Sequence, residues 1–303
     1  FSEGGSHLND VLLCTPLFYE QELVGFVVVR GHLVDVGGMS PGGWSGTVRH
    51  VIQEALIIPP VRLYKAGVLD REIKDFILKN VRIPKQCWGD IQAQVASNIT
   101  AERRLRELVK KYGMGAVLEG MDQALTYSKR RFTAKLAELP DGEWEGEDYI
   151  EDDGHGGGPY TVHVTLKKQG EKLFLDFDGT DPQVRGPVNC TYTETKAGSY
   201  TALVDVVDPS VPMNSGLIET MEVKAPLASM VNPIYPAPVF ATTSDPINRV
   251  HEAVMKAISK EFLFLFSNNI VLFNLTSRLS TNLGFNTLKT ELFFKIFNTL
   301  LVA

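Results

Sequence analysis

Apolar positions fall into blocks along this chain. Val11 to Phe18 and Leu23 to Arg30 are apolar and β-prone, with Tyr19-Glu20-Gln21-Glu22 between them. Two such runs around a short polar break predict a β-hairpin. A glycine-rich loop, Gly37 to Gly43, follows and suits tight turns or close backbone approach. From Thr47 to Ala137 the spacing turns helical. Asp70 is placed to cap a helix carrying Ile73, Phe76 and Ile77, which Pro84 closes. Ile91, Val95, Leu105, Leu108 and Val109 predict a long or broken helix ending at Gly113. Val117 through Leu136 predict another, ending at Pro140-Asp141-Gly142. Alternation returns at Thr161 to Leu166, and Lys172 to Phe177 pairs with it across Lys168-Gln169-Gly170. Strands and helices are grouped, not strictly alternating. The fold class is therefore α+β: an N-terminal β-hairpin, a central helical region and a second antiparallel β region.

The chain has 303 residues, 44% hydrophobic and 22% charged, an ordinary globular composition. A net charge of −6 argues against bulk electrostatic binding to nucleic acid or to an acidic membrane. Cys14, Cys87 and Cys190 are far apart and read as reduced thiols of a cytoplasmic protein. No signal peptide is recognised, and no run approaches the roughly 18 apolar residues of a membrane span. The cluster Arg103-Arg104-Arg106 with Lys110-Lys111 reads as a solvated helix face. Composition breaks after about Lys260, where the chain becomes rich in Phe, Leu, Asn and Thr. The expected organisation is one domain over 1–260 and an atypical tail over 261–303 that does not pack onto it. The plainer alternative for the tail is an apolar helix pair. Phe1 and the early Gly4-Gly5 suggest a chain that starts inside a motif, and so a fragment.

The hairpin also gathers chemistry. With the turn centred between Glu20 and Gln21, paired positions sum to about 41, so Asn9 faces His32 and Asp10 faces Gly31. His7 and Asp10 lie just before the first strand and His32 just after the second. All three then meet at one end of the ladder. Two imidazoles and a carboxylate suit a divalent transition metal and leave positions open for water or substrate. Asp35 is a candidate fourth ligand, or a partner for an imidazole N–H. On spacing alone, histidines at strand ends are more often surface residues.

The segments Gly4-Gly5-Ser6-His7-Leu8-Asn9-Asp10-Val11 and Arg30-Gly31-His32-Leu33-Val34-Asp35-Val36-Gly37-Gly38 resemble the paired signature of the hydantoinase B/oxoprolinase family. Ordered likenesses continue at Gln53-Glu54 with Ile58-Pro59-Pro60, at Gly89 to Gln94, at Leu139 to Gly142, and at Asp176 to Thr180 with Gly186 to Asn189. The resemblance covers about residues 2 to 258 and implies an ATP-dependent hydrolase of cyclic amides such as hydantoins or 5-oxoproline. It also implies a divalent metal, zinc or manganese, on His7, Asp10 and His32, and a hydantoinase A-like partner subunit that uses ATP to phosphorylate the substrate oxygen. The activated carbon would then meet a water whose pKa the ion lowers. A ketone carboxylase of the acetone or acetophenone type, built on the same parts, is the alternative. An inactive truncated product is a third. No catalytic side chain is assigned beyond the metal ligands. Ala55 stands where the family commonly has Gly, and neither the segment preceding Gly4-Gly5 nor the family's long C-terminal half is present.

Leu173 to Thr180 also resembles the first motif of haloacid-dehalogenase phosphatases, with Asp176 as nucleophile and Asp178 as acid/base. Pro182, Gly186 and Pro187 favour turns there instead of the helix that fold needs. Gly154 to Pro159 lacks the Gly-Lys-Ser/Thr ending of a phosphate loop and reads as a connector. His50 and His251 read as packing or surface residues, and His163 as exposed on a strand.

Overall fold

The computed structural model describes residues 5–259. The tail expected over 261–303 lies outside the described residues.

Strands β1 (Asp10–Tyr19) and β2 (Glu22–His32) form the expected hairpin. Its register differs from the sequence reading in one informative way. Next to the turn, Tyr19 pairs with Glu22 and Phe18 with Leu23, the predicted spacing. A β-bulge then leaves Val24 without an opposite number, and Leu17 pairs with Gly25. Every later pair is displaced by one, so Asp10, not Asn9, faces His32. A bulge re-aims the strand beyond it, and a one-residue slip changes which side chains share a face. Here it sets Asp10 and His32 side by side.

Residues 51–54 form a short helix, α1 (Val51–Glu54). A minimal hairpin of β3 (Tyr64–Lys65) and β4 (Val68–Leu69) precedes α2 (Arg71–Lys79). Asp70 caps α2 by accepting from the Glu72 and Ile73 N–H groups, as its position implied. Pro84 does not close α2. It opens α3 (Pro84–Tyr112), where the missing proline N–H costs nothing. The helix α3 is unbroken up to Gly113, and α4 (Met114–Leu136) follows. Two amides of α3 bond β1: Gln94 donates to the Val11 carbonyl, and Asn98 to the Leu13 carbonyl and the Thr15 hydroxyl. One face of the hairpin thus rests on α3, while Leu12, Phe26 and Val28 face solvent.

The second β region is a four-stranded sheet of β5 (Gly142–Ile150), β6 (Tyr160–Gln169), β7 (Lys172–Asp176) and β8 (Met221–Lys224), in that order. It is not wholly antiparallel. The strand β8 lies parallel to β7, because α5 (Tyr192–Val207) and α6 (Ser215–Ile218) carry the chain between them. Val162, Val164, Leu166, Leu173, Leu175 and Phe177 are buried on this sheet and its continuation. A last helix over 246–259 packs on β5, where a side chain at Gly146 would meet the Ala253 carbonyl. Fold class α+β holds.

This topology removes the phosphatase reading. The strand β7 is antiparallel to β6 and runs into a turn at Asp178-Gly179, and the next helix begins only at Tyr192. Asp176 is ion-paired with Lys224 at 2.7 Å. Residues 154–159 form an irregular connector, as read.

Candidate metal centre

The chain curls before β1. The Asp10 N–H bonds the His7 carbonyl, and the Asn9 carbonyl accepts from Leu33 N–H at 2.8 Å. The Asn9 amide donates to the carbonyls of Leu33 and Gly42. This fully buried asparagine ties the strand start to the glycine loop and brings His7 over Asp10.

His7, Asp10 and His32 converge. His7 Nε2 lies 3.0 Å from His32 Nδ1, and Asp10 Oδ1 lies 3.1 Å from each of those nitrogens. Three donor atoms with these edges share a point just off their plane at about 2.1 Å, the separation of adjacent ligands at right angles on one ion. The group meets the spacing a metal site needs.

Protonation sharpens this. His7 Nδ1 lies 2.9 Å from the Phe240 carbonyl, which can only accept, so Nδ1 carries a proton. A neutral His7 then offers only a lone pair at Nε2. His32 Nδ1–H can donate to one neighbour, which leaves Nε2 and Oδ1 lone pair against lone pair. The triangle therefore needs one more positive charge: a second proton on His7, or a cation. Burial opposes charge on His7, but the bonds to Asp10 and to the Phe240 carbonyl outweigh it and raise its pKa. Burial likewise pushes Asp10 up, yet the hydrogen bond and charge of His7, the His32 bond and the Arg30 charge hold it at about 2.

Side chains that the spacing argument did not select surround the triad. Arg30 lies with Nε 3.7 Å from Asp10 Oδ2 and Nη1 2.9 Å from Glu194 on α5. It stays half exposed. Glu54, fully buried at the end of α1, accepts the Val239 N–H at 2.7 Å and the Phe240 N–H at 2.8 Å through Oε1. Among the described residues its Oε2 has no hydrogen-bond partner. Burial pushes its pKa up to about 8, against the two backbone bonds and the charge of His7. The glycine loop closes over the same place. Gly38 has a φ of +79°, and a Cβ there would collide with the Glu54 carbonyl oxygen. The Phe240 ring lies against His7 with centroids 5.2 Å apart, and Trp44 meets Phe240 edge-on.

Asp35 does not join the triad. Its carboxylate accepts from the Arg82 backbone N–H (2.6 Å), the Arg82 guanidinium (2.9 Å) and the Gly42 N–H (3.3 Å). Arg82 also donates to the Gly37 and Gly38 carbonyls, so this pair staples the glycine loop. The ligand-like position was a matter of spacing; an arginine from the α2–α3 connection claimed the carboxylate. His163, read as exposed, is half-buried beside the Asp178 carbonyl, and His251 faces Asp205. Of the residues missed, Glu54 left a trace, a lone carboxylate within the apolar run Val51 to Ile58. Phe240 and Glu194 left none.

A fold this specific with a convergent triad defines a class, and the comparisons agree on it. A model of the hydantoinase B/oxoprolinase family matches residues 2–272, and the chain belongs to that family. It is 38% identical over 260 residues to an uncharacterized protein of Methanocaldococcus jannaschii, covering 86% of this chain and 45% of that one. It is 30% identical over 257 residues to caprolactamase subunit beta of Pseudomonas jessenii, covering 84% and 44%. The crystal structure of ATP-dependent caprolactamase from Pseudomonas jessenii matches with a TM-score of 0.80 at 31% identity, over 85% of this chain and 44% of that one. A nucleotide-free acetone carboxylase matches with a TM-score of 0.79 at 17% identity, over 86% and 36%, which is a likeness of fold. The chain spans less than half the length of these relatives. Among the described residues, no helix is long and apolar enough to cross a membrane.

Proposed function

We propose that this chain forms the metal-bearing part of an ATP-dependent hydrolase of cyclic amides, acting with a hydantoinase A-like subunit that uses the ATP. The observation that carries the reading is the convergence of His7 Nε2, Asp10 Oδ1 and His32 Nδ1 into one triangle short of a positive charge. The residues fit a divalent ion, zinc or manganese. The Phe240 carbonyl fixes the tautomer that turns the His7 lone pair inward, as metal-bound imidazoles require. An ion held there supplies the charge that polarises the scissile carbon and eases deprotonation of water. Asp10 stays anionic against Arg30, and Arg30 presents its exposed guanidinium edge where a phosphorylated or carboxylate-bearing substrate would lie. The caprolactamase relative is ATP-dependent and has a beta subunit, which supports both the substrate class and a partner subunit.

The acetone carboxylase likeness keeps a second reaction in view, so the test has two arms. The chain is combined with its hydantoinase A-like partner, ATP and either a hydantoin or acetone with bicarbonate. ATP-dependent ring opening is the expected result. Carboxylation instead would move the reading to the ketone carboxylases. The chain alone should turn over no ATP at the rate of about 1 s⁻¹ typical of enzymes, having no recognisable phosphate loop. Failure of both arms, with no metal taken up, would overturn the reading.

A further inference from the structure

Glu54 is the most costly side chain near the triad. A carboxyl group with no exposure and one oxygen unpartnered is expensive to bury. What it does with its other oxygen is specific. Residues 240–243 form a 3₁₀ turn whose first N–H groups have no partner within the turn. Glu54 Oε1 accepts two of them, from Val239 and Phe240, across 185 residues of sequence. The same Phe240 turns its carbonyl to His7 Nδ1. Nothing else in that turn touches the triad by a hydrogen bond. A chain of contacts thus runs from the Glu54 carboxyl through one backbone residue to the imidazole.

We propose that Glu54 is a positioning residue: by capping the 240–243 turn it holds the Phe240 carbonyl that locks His7 with its proton on Nδ1 and its lone pair facing Asp10 and His32. The role is one of acceptor geometry, so a neutral amide can fill it. The metal arm of the test rests on the reading of the triad as a metal centre; the tautomer arm does not.

Three chains are compared: wild type, Glu54→Gln and Glu54→Ala. The glutamine keeps an oxygen acceptor in an almost unchanged volume, while alanine removes it. Ring ¹⁵N shifts of His7 are read in chelated protein, at a pH that leaves the imidazole neutral. Wild type and Glu54→Gln should show the Nδ1–H tautomer alone, and Glu54→Ala a mixture. Zinc titration should place Glu54→Gln within about threefold of wild type and Glu54→Ala about 10–100-fold weaker, the usual cost of losing a group that orients a ligand. Should Glu54→Ala not fold, Glu54→Met fills the volume without an acceptor and takes its place. A single tautomer with undiminished zinc affinity in the alanine or methionine chain overturns the proposal. So does a glutamine chain as impaired as alanine, since charge and not geometry would then matter. If wild type takes up no zinc, the metal reading fails, and the tautomer arm alone decides whether Glu54 positions His7.

Discussion

The two β regions of this molecule bury opposite things. The four-stranded sheet hides Val162, Val164, Leu166, Leu173, Leu175 and Phe177, a conventional apolar core. The N-terminal hairpin leaves Leu12, Phe26 and Val28 in solvent, and hides His7, Asn9, Asp35 and Glu54 at its far end. Apolar burial stabilises in proportion to area; polar burial stabilises only as far as each group finds a partner. The comparison assigns stability to the sheet and chemistry to the hairpin end. It can be broken at either place.

The largest expected effect is on the sheet. Phe177→Ala removes a fully buried ring and should cost about 3–5 kcal/mol of unfolding free energy. Zinc affinity of the fraction that stays folded should not change. Denaturant unfolding with a parallel metal titration measures both. A large drop in zinc affinity would show that the two regions are not separable.

Legibility in the sequence followed the same division. The hairpin and the triad could be read because apolar strands bracket His7, Asp10 and His32 over a short stretch. The register could not, since Val24 looks like any strand residue and only the structure shows it bulged. The strand β5 was missed because its buried positions include Gly146 and Asp148, while Glu143, Glu145 and Glu147 face outward. The strand β8 pairs with a partner some fifty residues earlier, which no local pattern records. Asp35 was placed in the site on proximity alone; Arg82 holds its carboxylate. Phe240 completes the site from 233 residues beyond His7, out of reach of any motif, while Glu54 lay within the family likeness at Gln53-Glu54 without a role assigned to it.

Acid–base behaviour gives a middle-sized effect that belongs to the hairpin end. Burial raises Glu54 to about 8, so its contribution to folding is present below the usual carboxylate range and lost as pH rises toward 8. His7 is also raised, and its contribution is present below 6.5 and lost above its folded value. Asp10 is lowered to about 2, so its contribution is present above 3.8 and lost toward pH 2. Chelated protein should therefore be most stable near pH 4–5 and lose stability as pH rises toward 8. Zinc must displace the extra proton on His7, so zinc-loaded protein should gain stability over pH 5 to 7 instead. Glu54→Gln should flatten the decline in chelated protein. Urea midpoints at pH 5, 7 and 8 check the signs. Parallel slopes with and without zinc would remove the metal from the triangle.

The smallest effect on stability is also the most discriminating for function. The His32 side chain is 55% exposed, and among the described residues its ring bonds only the other members of the triangle. His32→Ala buries no new polar group and opens no cavity, so unfolding free energy in chelated protein should move by about 1 kcal/mol or less. Zinc retention should nevertheless be abolished, because His7 and Asp10 alone cannot complete a three-ligand site. His163→Ala serves as the control. That ring is half-buried beside the Asp178 carbonyl and takes no part in the triangle, so its removal should leave zinc retention unchanged. Metal analysis after gel filtration, set beside an unfolding curve, separates the outcomes. A His32→Ala chain that keeps its zinc would mean that the triangle is held by protons, and that the hairpin end buries its polar groups for some other chemistry.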